Sequence, residues 1–473
     1  MSSLRSRITG GQQAPANPDG PAAAHHTAVR TVTAAHRAFE SWSARPPAER
    51  SAILLQAAQL LIMRTGQIVD TMAAELRAAG QWSMFNAKTA AQILIDASAA
   101  VAQPSGQVLP TPTFGAVSLQ IRVPLGVIGA ITPPYAPLVL GARAMALPLA
   151  LGNTVVLKPS QDTPLTGGLL LREVLTEAGL PDGVLGITTP DRDDDTDMVS
   201  ALVADPRVRA VHFTGSTAAG REVAVEAARH LKPSVLELGG KNSLLVLGDA
   251  SVDYAVDAAL VSSFLNAGQG CWSTERIIVD RTLADDFLSR FADRVAALPL
   301  GGPTWPAEAN GTMADSRTAQ RVAALVADAL AKGATAVTGT GTVQADGISM
   351  APVVLTDVTA HMDIWTQEVS GPVVAVHTVD NAQEAVALAA TPPHGLTAGI
   401  ITDDWAVGLS IARRLPASAV HVNNRGVSAE LTAPFGSITD SGLGRFADRA
   451  VIDFFTDTRW VTAGVEGRPE FPL

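Results

Sequence analysis

The chain has 473 residues, 47% of them hydrophobic, a formal charge of −11 and one cysteine. That length points to two or three domains of roughly 100–200 residues each. A single cysteine excludes internal disulfides and fits a reducing, cytoplasmic setting, and the acidic balance without any Lys/Arg-rich block argues against nucleic-acid binding.

The opening "MSSLRSRITGGQQAPANPDGP" has no apolar core, so no secretory signal is expected, and residues 1–26 read as a mobile tail. Residues 27–102 carry a helical period, clearest in "PAERSAILLQAAQLLIMRTGQIVDTMAAEL", where Leu54, Leu55, Ala58, Leu61 and Ile62 fall on one face. "VSLQIRVP" (117–124) alternates Val117, Leu119, Ile121 and Val123, the pattern of a half-buried strand. The least charged stretch, 123–152, is long enough to suggest a membrane span. Pro133, Pro134, Pro137, Pro148 and Arg143 interrupt it, so buried strand, loop and helix are expected instead.

From residue 125 the rhythm is strand, helix, strand. "GVIGAI", "NTVVLKPS", "VRAVHFTGS" and "SVLELGG" read as strands, with "TPLTGGLLLREVLTEAGL" and "TAAGREVAVEAARH" as helices between them. Such alternation builds a parallel sheet covered by helices. A second set follows in 241–425: the helix "ASVDYAVDAALVSSFLNAG" running into the cysteine loop, the strand "ERIIVD", the helices "TLADDFLSRFADRVAAL" and "SRTAQRVAALVADALAKG", then the strands "APVVLTDV" and "GPVVAVHTV". The C-terminal "DFFTDTRWVTA" reads as an exposed strand, giving two α/β domains with a small β appendage.

Four groups carry candidate chemistry. "FTGSTAAG" (213–220) closes a strand and opens a helix, so Gly215, Ser216 and Gly220 are expected to leave amides free for a pyrophosphate. Lys158 ends a parallel strand and so points into the crevice where nucleotides bind. Glu237, in "ELGGK", stands at a strand end, where a buried carboxylate with a raised pKa can act as a general base. Cys271, in "NAGQGCWSTER", is a nucleophile suited to a carbonyl carbon. Taken singly, each has an ordinary explanation: a tight turn, a solvated lysine, a strand end, a small buried filler.

Together they resemble the aldehyde dehydrogenase superfamily over residues 27–462. The resemblance rests on "GNTVVLKP", "FTGST", "LELGGKN", "GQGC", "QEVSGPV" and "PFG…SGLGR", in that order, with Cys271 34 positions after Glu237. "QWSMFN", "LGARAMALPLALGN", "TPLTGGLLLREV" and "CWSTERIIV" are most similar to the aromatic-aldehyde branch, the benzaldehyde, vanillin and salicylaldehyde dehydrogenases. The resemblance implies a Rossmann-type cofactor domain (27–108 and 126–238), a catalytic domain (239–425), a return segment (426–449) and oligomerisation strands (109–125 and 450–464). It implies a homodimer or homotetramer, an aldehyde substrate, NAD or NADP as cofactor, and no metal. Cys271 would attack the aldehyde, and Glu237 would activate the water that releases the acid. Lys158, Ser160, Gln161, Gly215, Ser216, Leu238 and Glu368 would hold the cofactor, with Lys158 on the adenosine ribose and Glu368 on the nicotinamide ribose. Leu140, Arg143 and Trp272 would line the substrate pocket, where Arg143 either pairs with a carboxylate or faces a polar substituent of the substrate.

Four positions depart from the family pattern. Tyr135, in "PPYAP", replaces the asparagine of the oxyanion hole; Gln161 replaces a glutamate; Ser370 replaces a phenylalanine; bulky Trp272 follows the cysteine. Two other readings therefore stand beside aldehyde oxidation: a biosynthetic relative with another thioester fate or a reductive direction, and a cofactor-binding protein with little turnover. Gln161 generates a prediction. A carboxylate there would accept a bond from the ribose 2′-hydroxyl and repel a 2′-phosphate. With neutral Gln161 we expect NADP to be accepted alongside NAD, and Gln161→Glu to shift the preference toward NAD. Steady-state kinetics with both cofactors check this; a parent enzyme that takes NAD and refuses NADP would place the choice elsewhere.

Overall fold

The computed structural model describes residues 21–102, 106–112, 115–189, 195–298, 312–424, 433–445 and 448–464. The first helix, Pro21–Ser43, starts inside the stretch read as a tail, which is thereby corrected for 21–26; residues 1–20 lie outside the described residues. Helices Pro47–Met63, Thr65–Leu76 and Gly80–Ala100 follow. Leu54, Ala58 and Leu61 are buried as expected, but Leu55 and Ile62 are exposed. The covered arc is narrower than the sequence reading made it, and it turns toward Ala57 instead.

Two α/β units carry the fold. In the first, a six-stranded sheet runs in the order 442–443, 234–237, 208–214, 127–131, 154–158, 185–187, parallel except for Gly442–Leu443. The chain enters at Val127–Ile131, builds outward one way, then returns to build the other way. A crevice must open at the carboxyl ends of Val127–Ile131 and Val208–Thr214, where the order reverses. "PPYAP" and "GST" leave the sheet there. The helix Pro137–Ala150 that follows "PPYAP" is buried along nearly all its length, which explains why 123–152 is so apolar. Among the described residues, no single helix is long and apolar enough to cross a membrane.

The second unit holds a seven-stranded sheet, ordered 335–338, 353–356, 373–379, 274–280, 242–246, 397–401, 419–422, with only Thr335–Thr338 antiparallel. Strands 185–187, 242–246, 335–338, 397–401 and 419–422 were not read from the sequence. A third sheet pairs Gly106–Leu109, Val117–Pro124 and Thr456–Ala463, all antiparallel. Asp453 and Phe454, read as the start of that last strand, instead end the helix Asp448–Phe454. The alternation expected of 117–124 also fails at its start: Val117 is exposed and Ser118 buried, its Oγ accepting the Trp460 Nε1–H at 2.8 Å.

The crossing between the two large sheets is "GGKN". Lys241 is buried there, and its Nζ donates to Glu275 Oε2 at 2.6 Å and to the Gln367 carbonyl at 2.8 Å. The other Glu275 oxygen accepts the Val369 and Ser370 amides at 2.8 and 3.1 Å. One buried ion pair thus ties the crossing to the loop that presents Glu368. Removing one partner of such a pair leaves an uncompensated charge, at a cost of about 3–5 kcal/mol. Glu275→Ala is expected to lose about that much stability in denaturant unfolding, and Lys241→Met with Glu275→Leu to lose less than the single variant. A Glu275→Ala protein as stable as the parent would contradict this account.

Candidate active site

The cysteine loop begins where the helix Val252–Phe264 ends. Asn266, Ala267 and Gly268 take positive φ values of 53°, 54° and 68°. Asparagine tolerates that region and glycine prefers it. A side chain at Gly268 would collide with the Gly371 carbonyl. This left-handed run swings the chain back toward the sheet. Asn242 then fixes the loop: its Nδ2 donates to the Cys271 and Ser273 carbonyls at 2.7 and 2.9 Å, and its Oδ1 accepts the Thr397 amide at 3.1 Å. Cys271 itself is half-buried. Burial, with the charges of Glu237 and Glu368 nearby, pushes its thiol up to about 12, against the opposing pull of Arg143 and of its own backbone N–H.

Glu237 ends its strand in a buried position. Burial raises its pKa, while Arg143 and Thr214 oppose the rise. Arg143 Nη1 lies 3.4 Å from Glu237 Oε2, and its guanidinium stands 5.3 Å from the centre of the Phe435 ring. Of the two sequence readings of Arg143, the structure displays the ion pair, and with the candidate base itself. Oε2 also receives the Thr214 hydroxyl at 3.4 Å. Oε1 is buried and makes no hydrogen bond among the described residues.

Tyr135 sits in the same site. Its phenol is held well above its ordinary range by burial first, then by the charges of Cys271, Glu368 and Glu237. Trp82 Nε1 donates to the Tyr135 carbonyl at 2.9 Å and anchors that turn. Trp82 stacks on Phe85 with ring centres 5.1 Å apart and meets Trp272 at 6.3 Å, so three aromatic rings form one wall. Sequence reasoning named Trp272, but Trp82 and Phe85 only within "QWSMFN". Leu140 is buried in the core cluster against which Phe85, Tyr135 and Trp272 pack.

Of the residues assigned to a cofactor, Lys158, Ser160, Gln161, Gly215, Ser216 and Leu238 stand at or just after strand ends of the six-stranded sheet. Lys158 is buried at the end of its strand, and Ser160 and Gln161 follow it, half-buried. Glu368 is pushed up to about 7, chiefly by burial and then by Glu275; the Ser370 hydroxyl donates to its Oε1 at 3.0 Å. A side chain at Gly239 would collide with the Glu368 carboxylate. A groove of about 500 Å³ lies between the helices Asp195–Ala204 and Thr217–Arg229, lined by Ile131, Val199, Phe213, Val223 and Arg229. Two expectations are corrected here. Gly215 N donates to the Glu237 carbonyl at 3.0 Å and Gly220 N to the Ser216 carbonyl at 2.9 Å, so neither amide is free. The sheet and the helix ladder use them. Ser216 caps the helix, its Oγ accepting the Ala219 amide at 3.3 Å. Leu238 turns its side chain under the same helix, into the space that Gly220 leaves.

A thiol, a buried carboxylate paired with a cation, an aromatic wall and a nucleotide-sized groove at a sheet's switch point can together perform covalent oxidation of a carbonyl. The comparisons agree. The model of the Aldehyde dehydrogenase family matches residues 18–461. A vanillin dehydrogenase of Pseudomonas sp. strain HR199 is 43% identical over 441 residues, 93% of this chain and 90% of that protein. A benzaldehyde dehydrogenase [NAD(+)] of Pseudomonas putida is 37% identical over 93% of this chain and 89% of that protein. The crystal structure of a salicylaldehyde dehydrogenase from Pseudomonas putida G7, complexed with salicylaldehyde, superposes with a TM-score of 0.89 at 36% identity, covering 94% of this chain and 92% of that one. The chain therefore belongs to the aldehyde dehydrogenase family and is an oxidoreductase that acts on an aldehyde with NAD or NADP.

Proposed function

We propose that the enzyme oxidises an aromatic or similarly bulky apolar aldehyde to its carboxylic acid, with Cys271 as nucleophile and Glu237 as hydrolytic base. The observation that carries this reading is the convergence of Cys271 and Glu237 beside the wall of Trp82, Phe85 and Trp272. Relatives named for vanillin, salicylaldehyde and benzaldehyde support the substrate class. Cys271 Sγ bonds to the carbonyl carbon and its proton passes to solvent water, leaving a thiohemiacetal oxyanion beside the Cys271 amide and Tyr135. The cofactor chemistry that a bound NAD or NADP would supply is acceptance of the hydride. The product on Cys271 is a thioester. Glu237 takes a proton from the water that attacks it, and the acid leaves as the thiol is restored.

Several residues have roles consistent with this course. The apolar groove suits an adenine, with Lys158 and Gln161 near its ribose. We assign Ser160, Gly215, Ser216 and Leu238, on the strand-end turns, to the cofactor, and Glu368, lodged over Gly239, to the nicotinamide ribose. Arg143 is better read as the partner of Glu237 than as a grip on the substrate, because its guanidinium is already engaged at 3.4 Å. Trp272 and Leu140 remain our assignments for the pocket side and its packed backing. We also assign 27–108 with 126–238 to the cofactor, 239–425 to catalysis and 426–449 to the return. The strands in 109–125 and 450–464 we assign to a homodimer or homotetramer, which the exposed Trp460 and Val108 on that small sheet support. A cytoplasmic setting fits the free cysteine.

Absorbance of the reduced nicotinamide over a panel of aromatic and aliphatic aldehydes tests the reading. Cys271→Ser should abolish oxidation. Glu237→Gln should give a burst of reduced cofactor followed by a phase slower by about 10²–10⁴. A Cys271→Ser enzyme that still turns over would end the mechanism. Tyr135 should donate to the developing oxyanion, so Tyr135→Phe is expected to lose about 10²–10³ in turnover, and Tyr135→Asn to retain activity. If Tyr135→Phe matches the parent and Tyr135→Asn gains greatly, the phenol obstructs the site, and a detuned family member is the better reading.

A further inference from the structure

His212 lies in the strand Val208–Thr214, fully buried, and the mechanism above does not use it. Side chains alternate along a strand. Phe213 therefore faces the groove, while His212 and Thr214 share the opposite face, toward Arg143 and Glu237. Thr214 sits directly beside Glu237 in the parallel register of the two strands. Its hydroxyl oxygen is 3.4 Å from Glu237 Oε2 and 3.2 Å from His212 Nε2. The three groups form one chain of contacts under the sheet's carboxyl edge.

A threonine hydroxyl has a single proton to donate. An ionised carboxylate only accepts. When Glu237 is ready to act as a base, the Thr214 proton must point at Oε2, or two lone pairs face each other. His212 then has to donate to Thr214, which places the imidazole's one N–H on Nε2. We propose that His212 is a positioning residue for Glu237, its Nε2–H holding the Thr214 hydroxyl so that Thr214 donates to Glu237 Oε2 and leaves Oε1 to receive the proton of the attacking water. The state of Oε1 supports this: it is buried and unbonded among the described residues, whereas Oε2 is held by both Arg143 and Thr214. Burial, with the Arg143 charge beside it, pushes the imidazole down to about 3, so His212 is neutral at neutral pH. Its influence on Glu237 thus runs through Thr214 and not through charge. The other groups facing Glu237 are Arg143 from the helix Pro137–Ala150, Tyr135 from the preceding turn and Cys271 from its loop.

The inference rests on Glu237 being the hydrolytic base. The test follows acid release from the acylated full-length enzyme in single turnover, by rapid quench between pH 5 and 9, alongside the burst of reduced cofactor. A donor to the carboxylate lowers its pKa, so losing that donor raises it. The limb on which deacylation falls with acid then moves to higher pH. His212→Leu should move that limb up by about 0.4–1 unit and leave the burst amplitude intact. His212→Gln, which restores an N–H near the Nε2 position, should return it toward the parent. Thr214→Val should move it as His212→Leu does, and the double variant no further. A limb unmoved in His212→Leu, an equal shift in His212→Gln, or additive shifts in the double variant would each overturn the proposal. Glu237→Gln separates the two levels: if it deacylates as fast as the parent, the base itself is misassigned, and the His212 role falls with it. If it is slow while His212→Leu is unmoved, only the His212 role falls.

Discussion

The site is organised by one requirement, that a carboxylate be kept ionisable where water is scarce. Glu237 is buried, and burial raises its pKa. A single cation, Arg143, and a single hydroxyl, Thr214, oppose that. Both come from elements that the six-stranded sheet places by topology. Thr214 is the register neighbour of Glu237, and Arg143 lies on the helix that leaves the adjoining strand. The sheet's reversal of order therefore opens the nucleotide crevice and also brings the counter-charge to the base.

A second buried pair, Lys241 with Glu275, has a different task. It stands at the crossing between the sheets, and its hydrogen bonds run to the backbone of residues 367–370. Arg321 takes the remaining carbonyls of that loop, those of Glu368 and Val369. Ser370 adopts a φ of 48°, and it does so with its amide held by Glu275 and its hydroxyl on Glu368. The small side chain replaces a ring in the family pattern, and a hydrogen bond takes over part of what packing would otherwise supply in setting the Glu368 carboxyl.

Much of this was legible in the sequence, for reasons that differ by residue. The strands ending in Lys158, Thr214 and Glu237 announce themselves by β-branched runs that stop at glycine or proline. The strands 397–401 and 419–422 do not, because "TAGII" and "AVHV" are too short and too rich in small residues to stand out. The free amides expected of "GSTAAG" failed because a motif does not reveal which donors the sheet already uses; Gly215 N belongs to Glu237 O. Arg143 was conspicuous as a charge in an apolar run, which signals a buried partner. Which partner could not be read, since 94 residues separate it from Glu237. His212 gave no signal at all: a histidine within a buried strand is ordinary until its neighbour two residues on is seen to touch the base.

The arrangement also bears on how the thiol is activated. Cys271, Glu237, Glu368 and Tyr135 are four acidic groups gathered in one site, with Arg143 beside Glu237 and Cys271 and with Arg321 and Lys241 beside Glu368, and a charge on one opposes a charge on the next. Burial raises every one of them, but to different heights. Cys271 is pushed up to about 12, Tyr135 above its ordinary range and Glu368 up to about 7, while the rise of Glu237 is opposed by the Arg143 guanidinium and the Thr214 hydroxyl. The thiol proton has to leave as the C–S bond forms, and it passes to solvent water, so that Glu237 stays free for the hydrolytic step. Holding one oxygen of the carboxylate while leaving the other unbonded suits a group that takes one proton from water and gives it up again in each turnover.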